Sequence, residues 1–300
     1  MIETNAAIGS GGLPRRKAGG VATLVASSLS NQLGAASGSL AFPVIGPLGV
    51  VAVRQLVAAA VLLPIVRPRL REFSWRQWWP VLLLAVVFGT MNLCLYASIQ
   101  RIGLGLAVTL EFLGPLAVAL LSSRRKSSVV CAVAAGAGVV AITQPDASMD
   151  YAGIGLGLVA ACSWAFYILL NRTVGQRIQG IQGTAAATGV SATLYLPVAV
   201  VILASQPLDG FAILCAVSAG ILASVLPYVA DLIALRRVPA QLFGVLMSIN
   251  PVFAAIIGAL ALHQELNVGQ WAGIALIVAA NAGAMLLRDG QPKRRHGSRI

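Results

Sequence analysis

Long apolar stretches alternate with short polar gaps along nearly the whole chain. Stretches of about 17–25 residues are long enough, as helices, to cross a hydrocarbon core of about 30 Å. Ten are read, at roughly 19–41, 45–66, 81–99, 103–122, 129–143, 152–170, 184–205, 211–233, 240–262 and 268–287. None of the gaps has room for a soluble domain, so any chemistry must take place inside the bundle or at its mouths. The pattern predicts an all-α membrane protein with ten transmembrane helices, whose first partner is the lipid bilayer.

Charge gives this arrangement a direction. Of the 21 Lys and Arg residues, all but Arg54 and Arg101 fall in the two tails or in every second gap. Those gaps hold Arg67, Arg69, Arg71 and Arg76; Arg124, Arg125 and Lys126; Arg172 and Arg177; and Arg236 and Arg237. The other gaps carry Arg101 with the acids Asp146, Asp150, Asp209 and Glu265. Cytoplasmic loops collect Lys and Arg. Both ends are therefore expected in the cytoplasm, as a tail over residues 1–18 and a basic tail over 288–300. Trp75, Trp78, Trp79 and Trp271 stand where spans begin, as interfacial anchors do.

The chain also looks duplicated. Gln100-Arg101-Ile102-Gly103 precedes Pro115 as Arg236-Arg237-Val238-Pro239 precedes Pro251, at an offset of 136 residues. Leu24-Val25-Ala26-Ser27-Ser28 matches Leu158-Val159-Ala160-Ala161-Cys162 at an offset of 134. The expected units are five-helix repeats over 19–143 and 152–287. An odd number of spans per half inserts the second half upside down. Such inverted repeats are typical of secondary transporters, with the substrate site near the midplane where the halves meet.

Composition narrows the function. With 58% hydrophobic and 10% charged residues and a net charge of +12, the basic groups flank spans and fit an anionic cytoplasmic leaflet rather than nucleic acid. Cys94, Cys131, Cys162 and Cys215 all lie in apolar stretches without metal-ligand spacing and act as small apolar residues. There is no phosphate-binding glycine loop, no HExxH and no His cluster, so neither a cofactor nor a metal is expected.

Ionisable groups within spans mark candidate sites, because each costs about 2.5–3.5 kcal/mol at mid-span on insertion scales. Glu111 is one. Gly114 and Pro115 lie three and four residues on, and the proline frees the Glu111 carbonyl. A carboxyl group, a loosened carbonyl and a glycine gap converge there, suited to an ammonium group or a proton. Arg54 has three readings: pairing with Glu111, holding a substrate carboxylate, or snorkelling outward. Asp231 is either paired to Arg236 or an inner gate or proton site. Asn92 and Tyr96 share a face of the third span, and Trp164 and Tyr167 share one of the sixth. With Tyr228 and Asn250 they complete a candidate substrate pocket, bent by Pro115 and Pro251. Ser28, Gln32 and Ser248 read as helix–helix contacts, and Gly34 and Gly38 as close-packing positions.

The stretch Met91-Asn92, Tyr96, Ser98-Ile99-Gln100-Arg101-Ile102, Leu104-Gly105, Leu110-Glu111-Phe112, Gly114-Pro115-Leu116-Ala117-Val118-Ala119-Leu120 and Ser122-Ser123-Arg124-Arg125 resembles the drug/metabolite transporter superfamily and its EamA domains. It is most similar to the threonine/homoserine exporter group. Leu226-Pro227-Tyr228, Ile233-Ala234-Leu235, Phe243-Gly244, Leu246-Met247-Ser248 and Pro251 extend the likeness. The resemblance implies export of small amino acids or related metabolites across a bacterial inner membrane by alternating access, with or without proton coupling. Two departures stand out: Asn250 and Asp231 occupy places where that group typically carries Glu. The alternatives are efflux of drugs or aromatic metabolites on the same fold, a membrane-embedded lipid enzyme, and a channel.

Overall fold

The computed structural model describes residues 12–121, 126–143, 150–205, 209–227, 229–230, 238 and 240–288, and these form an all-helical bundle. The helices are α1 (Gly12–Ser39), α2 (Phe42–Val66), α3 (Trp75–Ile102), α4 (Leu104–Glu111), α5 (Leu113–Leu121) and α6 (Lys126–Thr143). They are followed by α7 (Tyr151–Arg177), α8 (Gln182–Ser205), α9 (Gly210–Gly220), α10 (Ala240–Met247), α11 (Asn250–Leu262) and α12 (Val268–Arg288).

The helix ends are fixed locally. Ser74 and Gln77 form a capping box at the start of α3, with the Ser74 amide donating to Gln77 Oε1 at 2.9 Å. Asp150 caps α7 by accepting from the Gly153 amide at 2.9 Å, and it also receives Arg101 Nη1 at 2.9 Å. These contacts, the Gly153 amide first and then Arg101, hold the Asp150 carboxyl below its ordinary range. Arg67 takes a left-handed conformation (φ 47°) to end α2, its amide donating to the Leu63 carbonyl at 2.8 Å, and His263 ends α11 with the same left-handed turn (φ 53°).

Several of the ten predicted spans are not single straight helices. The predicted fourth span breaks at Phe112 into α4 and α5, just ahead of Pro115. The ninth breaks between Met247 and Asn250, ahead of Pro251. In both places the proline withholds an amide and its ring crowds the preceding turn. In the eighth, α9 passes into a π turn over Ile221–Val225, two residues before Pro227. The third and sixth are longer than predicted, because α3 starts at Trp75 and α7 runs on to Arg177.

By length and composition, seven helical segments among the described residues can cross a membrane: Phe42–Val66, Trp75–Ile102, Leu104–Leu121, Tyr151–Arg177, Gln182–Ile202, Leu242–Leu262 and Val268–Leu286. Val129–Ile142 and Gly210–Val225 are shorter apolar helices. The predicted first span is not in that set. Although α1 has 28 residues, its inner stretch carries Ser27, Ser28, Ser30, Asn31 and Gln32. Outward-facing positions are strongly apolar: Leu121 is 88% exposed and Leu260 75%. Such a surface suits lipid and would be a liability in water.

The most extensive packing joins helices from before residue 143 to helices from after residue 150: α3 with α7, α6 with α12, α2 with α8, and α4 with α11. Small residues set these crossings. A Cβ on Gly138 would lie 2.9 Å from the Gly273 carbonyl oxygen, and one on Gly105 would lie 2.8 Å from Ala255 Cα. Gly34 packs as closely on Ala223, and Gly38 on Tyr96, as expected for close-packing positions.

Candidate functional site

Chain connections and cross-contacts define two ends of the bundle. One is the basic end, where Gln77 Nε2 donates to the Arg177 carbonyl at 2.9 Å and Arg177 Nη1 to the Arg76 carbonyl at 2.7 Å. Arg177 also lies 5.0 Å from the Trp79 ring centroid. At the opposite end, the α3–α4 turn is locked. The Leu104 amide donates to Gln264 Oε1 at 2.8 Å, and Arg101 pairs with Asp150. Gly103 at φ 84° makes room for this, since a Cβ there would lie 2.9 Å from Gln264 Oε1.

A cavity of about 720 Å³ runs from mid-bundle to the basic end, where Asn171, Arg172, Gly180 and Ile181 form its mouth. Its deep walls are Ser28, Asn31 and Gln32 of α1, Phe88, Met91 and Asn92 of α3, Glu111 and Phe112, Trp164 and Tyr167 of α7, and Asn250. The polar face of α1 is therefore its cavity face, which accounts for its low hydropathy.

Glu111 lies at the break between α4 and α5 and is only 7% exposed. Among the described residues its carboxylate has neither an ion pair nor a hydrogen bond, although it faces the cavity. A carboxylate so placed calls for a cationic ligand or a proton. The expected glycine gap beside it is absent. A Cβ on Gly114 would run into the Ala161 carbonyl oxygen of α7, so Gly114 serves helix contact, and the open space by Glu111 comes from the cavity itself.

Arg54 neither pairs directly with Glu111 nor snorkels outward. It is buried on the cavity wall, where Nη2 donates to the Ala223 carbonyl at 2.7 Å and Nε to Ser224 Oγ at 2.8 Å. The cause is Pro227, which has no amide to offer the carbonyl four residues back. The adjacent Leu222 carbonyl, in the same π turn, accepts from Ser30 Oγ at 2.8 Å. Arg54 is thereby fixed in place, and its Nη1 has no hydrogen-bond partner among the described residues.

Tyr96 corrects the expectation that it and Asn92 would both line the pocket. It is fully buried and not among the cavity-lining residues, edge-on to Phe42 at 5.9 Å, and its ring centroid lies 5.3 Å from the Arg54 guanidinium. The close approach of α1 at Gly38 takes its ring. Asn92 does line the cavity and donates to the Phe88 carbonyl at 2.8 Å. Trp164 meets Phe112 edge-to-face at 4.7 Å, which joins α7 to the α4–α5 break. Tyr228 and Asp231 lie outside the described residues.

Asn250 is tied into a network. Its Nδ2 donates to Ser28 Oγ at 3.2 Å and to the Met247 carbonyl at 2.9 Å, and its Oδ1 accepts from Gln32 Nε2 at 2.9 Å. The Met247 carbonyl is the one that Pro251 leaves without its helical amide. Asn250→Ala is expected to lower stability by roughly 1–2 kcal/mol, and a shift in the thermal unfolding of the detergent-solubilised protein checks this.

An all-helical membrane bundle with a polar, one-ended cavity is the architecture of a transporter. The chain matches the EamA-like transporter family over residues 18–143 and again over 151–286. It is 34% identical over 277 residues to a threonine/homoserine exporter, RhtA, of Salmonella typhimurium strain SL1344, covering 91% of this chain and 93% of that protein. The RhtA of Escherichia coli K12 is also 34% identical, over 270 residues, covering 89% of this chain and 91% of that protein. One solved crystal structure superposes with a TM-score of 0.59 at 19% identity, over 89% of this chain and 97% of its own, which shows the fold alone. The chain belongs to the EamA-like transporter family, so it is a multi-pass membrane transporter rather than an enzyme.

Proposed function

We propose that this protein exports small neutral amino acids of the threonine and homoserine type. The observation that carries the reading is Glu111, a buried carboxylate that makes no ion pair or hydrogen bond among the described residues, on the wall of a cavity large enough for such a molecule. The amino acid's ammonium group binds Glu111, and its carboxylate meets the Arg54 guanidinium. Homology to exporters named for threonine and homoserine supports the cargo. The repeats 19–143 and 152–287 insert with opposite orientation, giving ten crossings, with α1 as a polar crossing shielded by its neighbours. Both termini are cytoplasmic, so the cavity faces the cytoplasm here, and the lock formed by Gln264, Arg101 and Asp150 closes the outer side. Alternating access then exchanges the open and closed ends, with Pro115 and Pro251 as the bends. Glu111 is the group through which a proton couples; Asp231 remains a candidate for a second.

The aromatic pair Phe112 and Trp164 on the wall favours the alternative of apolar or aromatic cargo. Efflux of labelled threonine and homoserine from loaded cells separates the two readings. Saturable efflux that slows when the proton gradient is collapsed supports coupled amino-acid export. Efflux at background level, with resistance to aromatic drugs, supports the alternative.

A further inference from the structure

A second chamber opens off the main cavity beside Arg54. It holds about 160 Å³ and shares Arg54, Phe88, Tyr167, Thr184 and Ala223 with the cavity wall. Beyond that shared rim it is built from Ala58, Leu62, Leu84 and Ala187, all almost fully buried. Its remaining hydroxyls are already engaged. Thr188 Oγ1 donates to the Thr184 carbonyl at 3.0 Å, and Ser224 Oγ accepts from Arg54. A ligand whose carboxylate rests on the Arg54 guanidinium at the rim would thus have a partly open, mostly apolar space next to its α-carbon. A cavity of about 150 Å³ with apolar walls accommodates a molecule the size of benzene, well beyond the side chain of threonine.

We propose that this chamber is the side-chain pocket of the transported amino acid, and that it admits branched aliphatic side chains up to that of leucine as well as the small hydroxylated ones. The proposal rests on the amino-acid reading above. Recognition in such a pocket comes from volume and apolar contact, which discriminate weakly among small aliphatic groups: a methylene more or less changes selectivity by about 10- to 200-fold. Threonine leaves much of the chamber unfilled, while leucine fills it. Ala187 and Ala58 reach the chamber from opposite helices, α8 and α2, and have only a methyl group each. Enlarging either one therefore removes volume without removing a polar contact.

The test uses purified full-length protein in proteoliposomes, with labelled threonine and labelled leucine. The wild type is expected to carry both. Ala187→Val, and separately Ala58→Val, is expected to lower the ratio of leucine to threonine transport at least about tenfold, with threonine transport still well above that of protein-free vesicles. Retained threonine transport also shows that the variant is folded. If the wild type carries threonine but not leucine, or if a monodisperse variant carries both or loses both equally, the chamber is not the side-chain pocket and the amino-acid reading survives. If the wild type carries no amino acid, both readings fall together.

Discussion

Glu111→Gln is expected to abolish net amino-acid export while leaving the protein folded. The glutamine has nearly the same shape, and Glu111 makes no ion pair or hydrogen bond among the described residues that the change would break. What is lost is the charge offered to an ammonium group. A hydrogen bond to a charged group contributes about 1.5–3 kcal/mol, so binding of the amino acid weakens by roughly 10- to 100-fold, and any proton exchange at this position ceases. Transport assayed at several pH values in reconstituted vesicles checks both effects. Wild-type transport by the variant would remove Glu111 from the site.

The second large effect falls on folding. Gly114→Val drives a branched side chain into the Ala161 carbonyl oxygen of α7, with the Ala161 carbonyl carbon at 3.1 Å and the Ala165 amide nitrogen at 3.2 Å from the first added atom. These are backbone atoms of a regular helix, so no rotamer change relieves the clash and α5 must move away from α7. Overpacking of a tight interior costs about 1–3 kcal/mol, and this contact belongs at the top of that range or above it. Gly114→Ala should show a smaller loss in the same direction. The yield of monodisperse protein after extraction is the measurement, and unchanged yield for the valine variant would show that the helices are not in contact there.

These two residues are three positions apart and illustrate what a sequence can and cannot reveal. Glu111 was legible because an ionisable group within an apolar run is costly wherever it stands. Gly114 was legible as important but not for the right reason, since a gap for ligand and a gap for a neighbouring helix look identical along one chain. The apolar runs, the prolines just after the two helix breaks, and the close packing at Gly34 and Gly38 follow from local rules. The polar face of α1 looks along the sequence partly like helix–helix contact, and Ser28 and Gln32 are both contact and cavity wall.

The partners of Arg54 were hidden because they come from carbonyl and hydroxyl groups 169 and 170 residues away. The signal was Pro227, whose missing amide leaves a carbonyl in search of a donor. Tyr96 shares a helical face with Asn92, but that spacing fixes only its direction, not how deep the cavity reaches along that face. Phe88, Asn171 and Thr184 carry no sequence signal beyond their polarity or size, and only the crossing of α3, α7 and α8 brings them to one wall.

We propose that this transporter moves small neutral amino acids through the Glu111 cavity. Counterflow by the purified wild-type protein tests it most directly: vesicles preloaded with unlabelled homoserine are diluted into labelled threonine. Saturable uptake is expected, competed by other small neutral amino acids and absent with Glu111→Gln. Uptake no greater than in protein-free vesicles, alongside saturable movement of an aromatic drug, would contradict it.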